Sequence, residues 1–178
     1  MKSHKSTIME RYDELGGSLY DIRYTEEQRA KYELILDEIN EPDLLLDNGC
    51  GTGLLLPLLE CTVVGLDLSS ELLRKARERA KKNHHLIQSD SENLPLRNSI
   101  FYMVVSITVI QNLPNPDRLP SESARVAKPG SSIVISSLKR VYSKKEIAKL
   151  VESDGLCINK IFTRENINDW ITVSTRKQ

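Results

Sequence analysis

The sequence predicts an α/β protein built on a doubly wound, mostly parallel sheet, with a ligand site at the carboxyl ends of its strands. Three observations predict it. Short apolar runs rich in β-branched residues alternate with amphipathic stretches at helical spacing. Residues 44 to 53, LLLDNGCGTG, join a buried strand to a turn with glycine at every second position, Gly49, Gly51 and Gly53. Asp67 closes the next apolar run twenty residues after Asp47. That separation lets a strand–helix–strand unit bring an acid at the end of its second strand beside the first turn.

Composition narrows the function classes. The chain has 178 residues, enough for one core that buries roughly 70% of its unfolded surface without disulfides or metal. Its 25 acidic and 25 basic residues balance, so no global field argues for nucleic acid or an anionic membrane. Cys50, Cys61 and Cys157 are scattered, without paired spacing, as in a reducing compartment. MKSHKSTIMERYDE has no apolar run of signal-peptide length, and no apolar stretch approaches the roughly 20 residues that span a bilayer. The expectation is a soluble, cytoplasmic protein with no membrane association.

Each element can be justified in order. Residues 1 to 8 are polar and read as a frayed end. Residues 9 to 24, MERYDELGGSLYDIRY, form two short segments broken at Gly16-Gly17. Tyr12, Tyr20, Tyr24 and Tyr32, four of the six tyrosines, fall here and in the next helix. They either cover a ligand or pin an amphipathic segment to the domain. Thr25 before Glu26, Glu27 and Gln28 fits an N-cap with early acids, and Tyr32, Ile35, Leu36 and Ile39 recur at helical spacing up to Pro42. Leu44 to Leu46 form a buried strand, and the glycines after Asp47 remove any Cβ that would keep a ligand from the backbone. LLLPLLE can then form a short helix whose first amides point back at the turn, with Pro57 tolerated near its start. A dinucleotide fingerprint would need glycine at position 54, where Leu54 stands, so NAD is disfavoured. By itself the turn also fits a tight strand-to-helix junction that binds nothing.

Thr62 to Leu68, TVVGLDL, is the second strand. Asp67 at its end can accept both hydroxyls of a ribose or cap the next helix, although Ser69 and Ser70 already offer a cap. Residues 70 to 82, SELLRKARERAKK, have an apolar stripe of Leu72, Leu73, Ala76 and Ala80. The opposite face carries Arg74, Lys75, Arg77, Arg79, Lys81 and Lys82, a solvated surface or a nucleic-acid contact without stacking aromatics. His84 to Gln88 lead into SDSENLP, and the two histidines have no partners at ligand spacing, so no metal site is expected. Ile100 to Ile110 is the central buried strand running into the loop that carries Gln111 and Asn112. Residues 113 to 121 form a proline-rich loop, SESARVA a short helix and Lys128-Pro129-Gly130-Ser131 a turn. Residues 132 to 138 make a fifth strand and Ser143 to Ser153 a helix. Cys157 to Phe162 and Trp170 to Thr175 are closing strands.

Several of these segments resemble the class I S-adenosylmethionine-dependent methyltransferases. That family's first motif reads hydrophobic strand, acid, x, GCGTG, and this chain reads LLLDNGCGTG. The family commonly has Phe-Asp-x-Val in strand four and Leu-Lys-Pro-Gly-Gly after it; here Tyr102 replaces the acid and Ser131 the second glycine. The resemblance covers residues 44 to 138 motif by motif and the rest by element order. It implies a Rossmann-like, seven-stranded, mostly parallel sheet of order 3-2-1-4-5-7-6, with strand 7 antiparallel and helices on its flanks. It also implies one domain over 1–178, with a lid and helix in 1–40 and the core in 41–178. The implied methyl donor is S-adenosyl-L-methionine, held by Asp47, Gly49, Gly51, Gly53, Asp67, Leu68, Asp90, Ser91 and Ser106. In that arrangement Asp90 accepts from the adenine amino group, the Ser91 amide contacts the ring, and Ser106 to Thr108 contact the donor partly through backbone.

Methyl transfer is an in-line displacement that demands alignment and only sometimes a base. Gln111 and Asn112 fall where the transferred methyl should emerge, and with Tyr20 they are the candidate catalytic residues. No Asn-Pro-Pro-Tyr follows strand four, since Ser106-Ile107-Thr108-Val109 stands there, which weighs against glutamine or adenine N-methylation of that type. The resemblance to ubiquinone-biosynthesis-type enzymes implies a small-molecule acceptor. The alternatives are an RNA or a translation protein methylated with a partner subunit, and a non-catalytic cofactor-binding scaffold. A Tyr-Asp-rich segment before the core implies a lid over 9 to 24, with Tyr12, Tyr20 and Tyr24 covering the site.

Overall fold

Neighbouring leucines of the first strand face opposite sides of the sheet, because side chains alternate along an extended chain. Leu45 joins one hydrophobic core and Leu46 the other. The computed structural model describes Thr7 and residues 26–40, 42–152 and 155–178. Residues 9 to 24, with Tyr12, Tyr20, Tyr24 and Gly16-Gly17, lie outside the described residues, as do the Thr25 cap, Ser153 and all but one residue of the expected frayed end.

The described chain begins with helix α1, residues 26–36. Strand β1, Leu44–Asn48, precedes the glycine turn, and a single 3-10 turn, Leu56–Leu58, leads to β2, Thr62–Asp67. Helix α2, Ser70–Arg77, and strand β3, His84–Gln88, complete the first half. Then come β4, Phe101–Ser106, a 3-10 turn at Ile110–Asn112, α3, Arg118–Val126, and β5, Ala127–Leu138. Helix α4, Lys144–Glu152, and strands β6, Leu156–Phe162, and β7, Asp169–Arg176, close the chain.

The seven strands form one sheet of order β3-β2-β1-β4-β5-β7-β6. Strands β1 to β5 pair in parallel, while β7 runs antiparallel to both β5 and β6. This is the order and orientation that the resemblance implies. Tyr32 and Ile35 of α1 pack with Leu45, Val63, Val105, Val134 and Ile171 on one face. Leu119 and Val126 of α3 and Ile147 and Val151 of α4 pack with Leu46, Leu66, Val104, Ile133 and Ile135 on the other. The first core therefore lies under α1 and the glycine turn, the second under α3 and α4. The chain order reverses between β1 and β4, so the crevice at their carboxyl ends is the place for a ligand.

Four boundaries differ from expectation. The helix after the glycine turn is one 3-10 turn, because Pro57 supplies no donor and Leu59 is already extended. Helix α2 stops at Arg77 rather than 82: Glu78 and Arg79 donate to carbonyls three residues back, at Lys75 and Ala76, which tightens and ends the last turn. Helix α3 starts earlier than expected, at Arg118, since Pro120 falls in a first turn whose amides have no helical partners anyway. Strand β5 begins at Ala127 and absorbs the Lys128-Pro129-Gly130 turn as an irregularity opposite Phe101 and Met103. Ser143 and Glu146 cap α4 reciprocally: Glu146 N–H donates to Ser143 Oγ at 3.3 Å, and Ser143 N–H to Glu146 Oε2 at 2.8 Å.

Candidate functional site

The glycine turn at the end of β1 runs through three left-handed residues, Gly49, Gly51 and Gly53, with φ of 88°, 54° and 73°. Four of its amide groups bond within the protein. Gly49 and Cys50 both donate to Leu66 O, at 2.7 and 2.8 Å, Gly53 donates to Cys50 O at 2.9 Å, and Gly51 donates to Asp67 Oδ2 at 2.9 Å. Leu56, the first amide of the following 3-10 turn, donates to Gly53 O at 3.1 Å. Of the free helix amides that the sequence leads one to expect at the turn, that of Leu56 is bonded to Gly53 O, which leaves fewer donors for a pyrophosphate than expected.

The charge at the turn points the same way. Asp47 is buried, and its carboxyl is pushed up to about 7, by loss of hydration first and by the negative charge of Asp67 second. Asp67 takes Gly51 N–H on one oxygen and Ser69 N–H on the other, each at 2.9 Å, which fixes its carboxylate against the turn. Two acidic side chains beside a glycine turn, four of whose amides are already bonded, favour a ligand rich in hydroxyls and positive charge over an anionic one. Ser69 itself caps α2, its Oγ accepting from Leu72 N–H at 3.2 Å, so capping does not require Asp67. Burial and both acids push the Cys50 thiol well above its ordinary range, which makes it an inert neighbour.

Beyond β3, Asp90 Oδ1 accepts from Glu92 N–H at 3.0 Å and Ser91 is buried. The turn is tied down by Glu92, whose Oε1 accepts from Asn115 N–H at 2.6 Å. Leu68 follows Asp67 at the sheet's upper edge, its carbonyl accepting from Gln88 Nε2 at 3.0 Å. Asp67, Leu68, Asp90 and Ser91 thus line the carboxyl ends of β2 and β3. Ser106 ends β4 fully buried, its hydroxyl donating to Asn48 O at 2.7 Å. Its side chain ties β4 to β1.

The loop after β4 is held by contacts that the sequence reading missed. Thr108 sits at φ 63°, a conformation rare for a β-branched residue. Its amide donates to Ser136 Oγ at 2.8 Å and its hydroxyl to Asp169 Oδ2 at 3.0 Å. Asp169, fully buried, also accepts from Ser136 Oγ at 2.7 Å and pairs with Lys31 Nζ at 2.8 Å. The side-chain amides of Gln111 and Asn112 both donate to Thr108 O. Val109 then lies against Gly49: a Cβ built on that glycine would stand 2.3 Å from Val109 Cγ2. A signal for Lys31 was present, because Gln28, Lys31, Tyr32 and Ile35 share one helical face and all four are buried. Nothing in the sequence marks Asp169.

The profile of the methyltransferase domain family matches residues 46–135. The chain belongs to the class I S-adenosylmethionine-dependent methyltransferases. Among curated relatives it is 36% identical over 157 residues to a malonyl-[acyl-carrier protein] O-methyltransferase of Marinomonas sp. (strain MWYL1), covering 83% of this chain and 57% of that one. A demethylmenaquinone methyltransferase of Tropheryma whipplei is 27% identical over 146 residues, covering 72% of this chain and 60% of that one. The chain spans little more than half the length of these relatives. Among solved structures, a methyltransferase of Haloferax volcanii in complex with the Trm112 methyltransferase activator shares the fold at a TM-score of 0.82 and 16% identity, with 96% of this chain and 97% of that one covered.

Within this methyltransferase fold the departures from the family pattern lie away from the crevice. Tyr102, in place of the usual acid, sits near the amino end of β4, half exposed, with Lys128 Nζ 3.4 Å from its ring centroid. Ser131, in place of a glycine, donates to Phe101 O at 3.2 Å. The basic residues of α2 and of the turn after it are largely partnered: Arg74 pairs with Glu71 at 3.1 Å, Lys75 with Glu78 and Lys81 with Glu60 at 2.6 Å, and Arg79 donates to Thr52 O at 2.7 Å. Among the described residues no group of three or more His, Cys, Asp or Glu could hold a metal, and no helix is long and apolar enough to cross a membrane.

Proposed function

We propose that the chain catalyses methyl transfer from S-adenosyl-L-methionine to a small-molecule acceptor in the cytoplasm. The observation that carries the donor assignment is the pair Asp47 and Asp67 beside a glycine turn in which the amides of Gly49, Cys50, Gly51 and Gly53 are already bonded within the protein. A donor with a ribose, a sulfonium and an ammonium group matches those two acids; a dinucleotide's pyrophosphate does not. In this reading Asp67 and Leu68 hold the ribose, Asp90 and Ser91 the adenine, and Asp47, Gly49, Gly51, Gly53 and Ser106 the methionine end. When bound, the donor supplies an electrophilic methyl. The protein holds the acceptor in line with it, using Gln111 and Asn112 and, from the N-terminal segment, Tyr20.

Calorimetry with S-adenosylmethionine and with NAD tests the donor. Binding of NAD, or of neither, ends the proposal. Comparing methylated metabolites with methylated RNA nucleosides in cells with and without the gene tests the acceptor. Relatives acting on an acyl carrier protein's malonyl group and on demethylmenaquinone support an acceptor of small-molecule character.

A second reading has the chain methylating RNA or a translation protein with an activator subunit. It is favoured by the likeness in fold and length to the Haloferax volcanii methyltransferase solved with its Trm112 activator. Copurification of a stoichiometric partner needed for turnover would replace the first reading with this one. The scaffold alternative rested on Tyr102 and Ser131, and both are remote from the acids and glycines of the crevice.

A further inference from the structure

We infer that Lys31 and Asp169 are a positioning pair that sets the donor crevice through Thr108. The inference rests on the reading that the donor lies at the glycine turn. Lys31 comes from α1 and Asp169 from the start of β7, and both are buried, at 1% and 0% exposure. Lys31 Nζ lies 2.8 Å from Asp169 Oδ1 and 3.1 Å from Glu27 Oε1, and donates to Thr108 Oγ1 at 3.0 Å. The other Asp169 oxygen accepts from Thr108 Oγ1 and Ser136 Oγ, and Ser136 Oγ in turn accepts from Thr108 N–H. Thr108 is therefore gripped on its hydroxyl and on its amide.

That grip has a geometric purpose. A threonine avoids positive φ unless its surroundings impose it, and Thr108 stands at 63°. The next residue, Val109, fills the volume a side chain at Gly49 would occupy. The carbonyl of Thr108 also receives the side-chain amides of Gln111 and Asn112. Releasing Thr108 would let Val109 move with respect to the glycine turn and unlock the two amides. The pair thus links the helix that follows the N-terminal segment to the wall of the crevice, without itself touching a substrate.

A merely structural ion pair makes a different prediction. Replacing a buried pair by apolar groups of similar size is often neutral for stability, whereas removing one partner strands a charge. In the double variant Lys31→Met/Asp169→Leu, the melting temperature should recover relative to Lys31→Met alone, while S-adenosylhomocysteine binds about tenfold more weakly by calorimetry, as expected of coupled contacts. Thr108→Val keeps the ion pair and the side-chain shape but loses the hydroxyl, and should weaken binding similarly. In its NMR spectrum the contact between the Val109 methyls and Gly49 should disappear. Asp67→Ala serves as the reference. If Asp67→Ala abolishes binding while both other variants bind like the parent, the positioning role is wrong and the donor site stands. If Asp67→Ala also binds like the parent, the donor is not at the glycine turn and the inference falls with that reading.

Discussion

Val109 occupies the space that a side chain on Gly49 would need, with its Cγ2 2.3 Å from where that Cβ would be. Gly49→Ala therefore meets two obstacles, the collision and a φ of 88°. The expected loss is about 3 kcal/mol of stability, combining overpacking with left-handed backbone strain. Adding Val109→Ala should recover only the collision's share. Thermal unfolding of the two variants checks this, and full recovery in the double variant would show that the backbone at residue 49 is unstrained.

Asp47 should make the donor-free protein less stable as pH rises. An unfolded aspartate titrates near pH 4, whereas the folded carboxyl is pushed up to about 7 by burial and then by Asp67. Between those values the folded chain keeps a proton that the unfolded chain has lost, so stability falls through that window and levels off above it. The full shift corresponds to roughly 4 kcal/mol. Asp47→Asn should remove this slope and be the more stable protein at pH 8. Donor affinity should move oppositely, tightening from pH 6 to 8 in the parent as the carboxylate ionises to meet positive charge, and staying flat and weak in Asp47→Asn. Parallel pH slopes in the two proteins would discard the assignment.

Tyr102→Asp restores the acid that the family commonly carries. Since Tyr102 lies near the amino end of β4, stacked under Lys128 rather than at the crevice, the affinity for S-adenosylhomocysteine should stay within about twofold, the scatter of a surface substitution. A large gain would mean that the residue acts on the donor after all and would revive the scaffold reading.

The sheet order could be read ahead of the structure because its determinants are local. Apolar runs such as Leu44 to Leu46 and the β-branched run from Thr62 mark buried parallel strands by composition alone. The glycines and Asp67 were equally visible, since their backbone and spacing demands leave few other residues suitable. What stayed hidden depends on contacts between distant segments. Lys31 shares a helical face with Tyr32 and Ile35, but nothing in the sequence says what it meets there until β7 brings Asp169 to it, and Thr108 shows no sign of positive φ. The extents of α2 and α3 depart from the apolar pattern because single turns set their ends, the backbone bonds of Glu78 and Arg79 for α2 and the placement of Pro120 for α3, which side-chain periodicity does not mark. Glycine spacing likewise could not reveal that the amides of Gly49, Cys50 and Gly51 are spent on Leu66 and Asp67.

The N-terminal segment supplies the last prediction. Residues 9 to 24 are proposed as a lid, with Gly16-Gly17 as its hinge and Tyr12, Tyr20 and Tyr24 as its covering groups. Helix α1 follows this segment in sequence and is tethered through Lys31 to Asp169 and Thr108, so a lid hinged before it would have a fixed base beside the loop of Gln111 and Asn112. Closing over the crevice would exclude water, strengthening the electrostatics around a cationic donor. Tyr20→Phe keeps the ring and removes one hydroxyl; turnover should drop by up to about tenfold, the worth of one hydrogen bond, with the melting temperature unchanged. Hydrogen exchange gives the direct measurement, comparing residues 9 to 24 with and without S-adenosylhomocysteine. Protection should rise on binding there and change little in the buried strand β1. Should the segment without ligand prove as protected as residues 44 to 47, it is a fixed part of the core, and Tyr20 would have to act from a preformed wall.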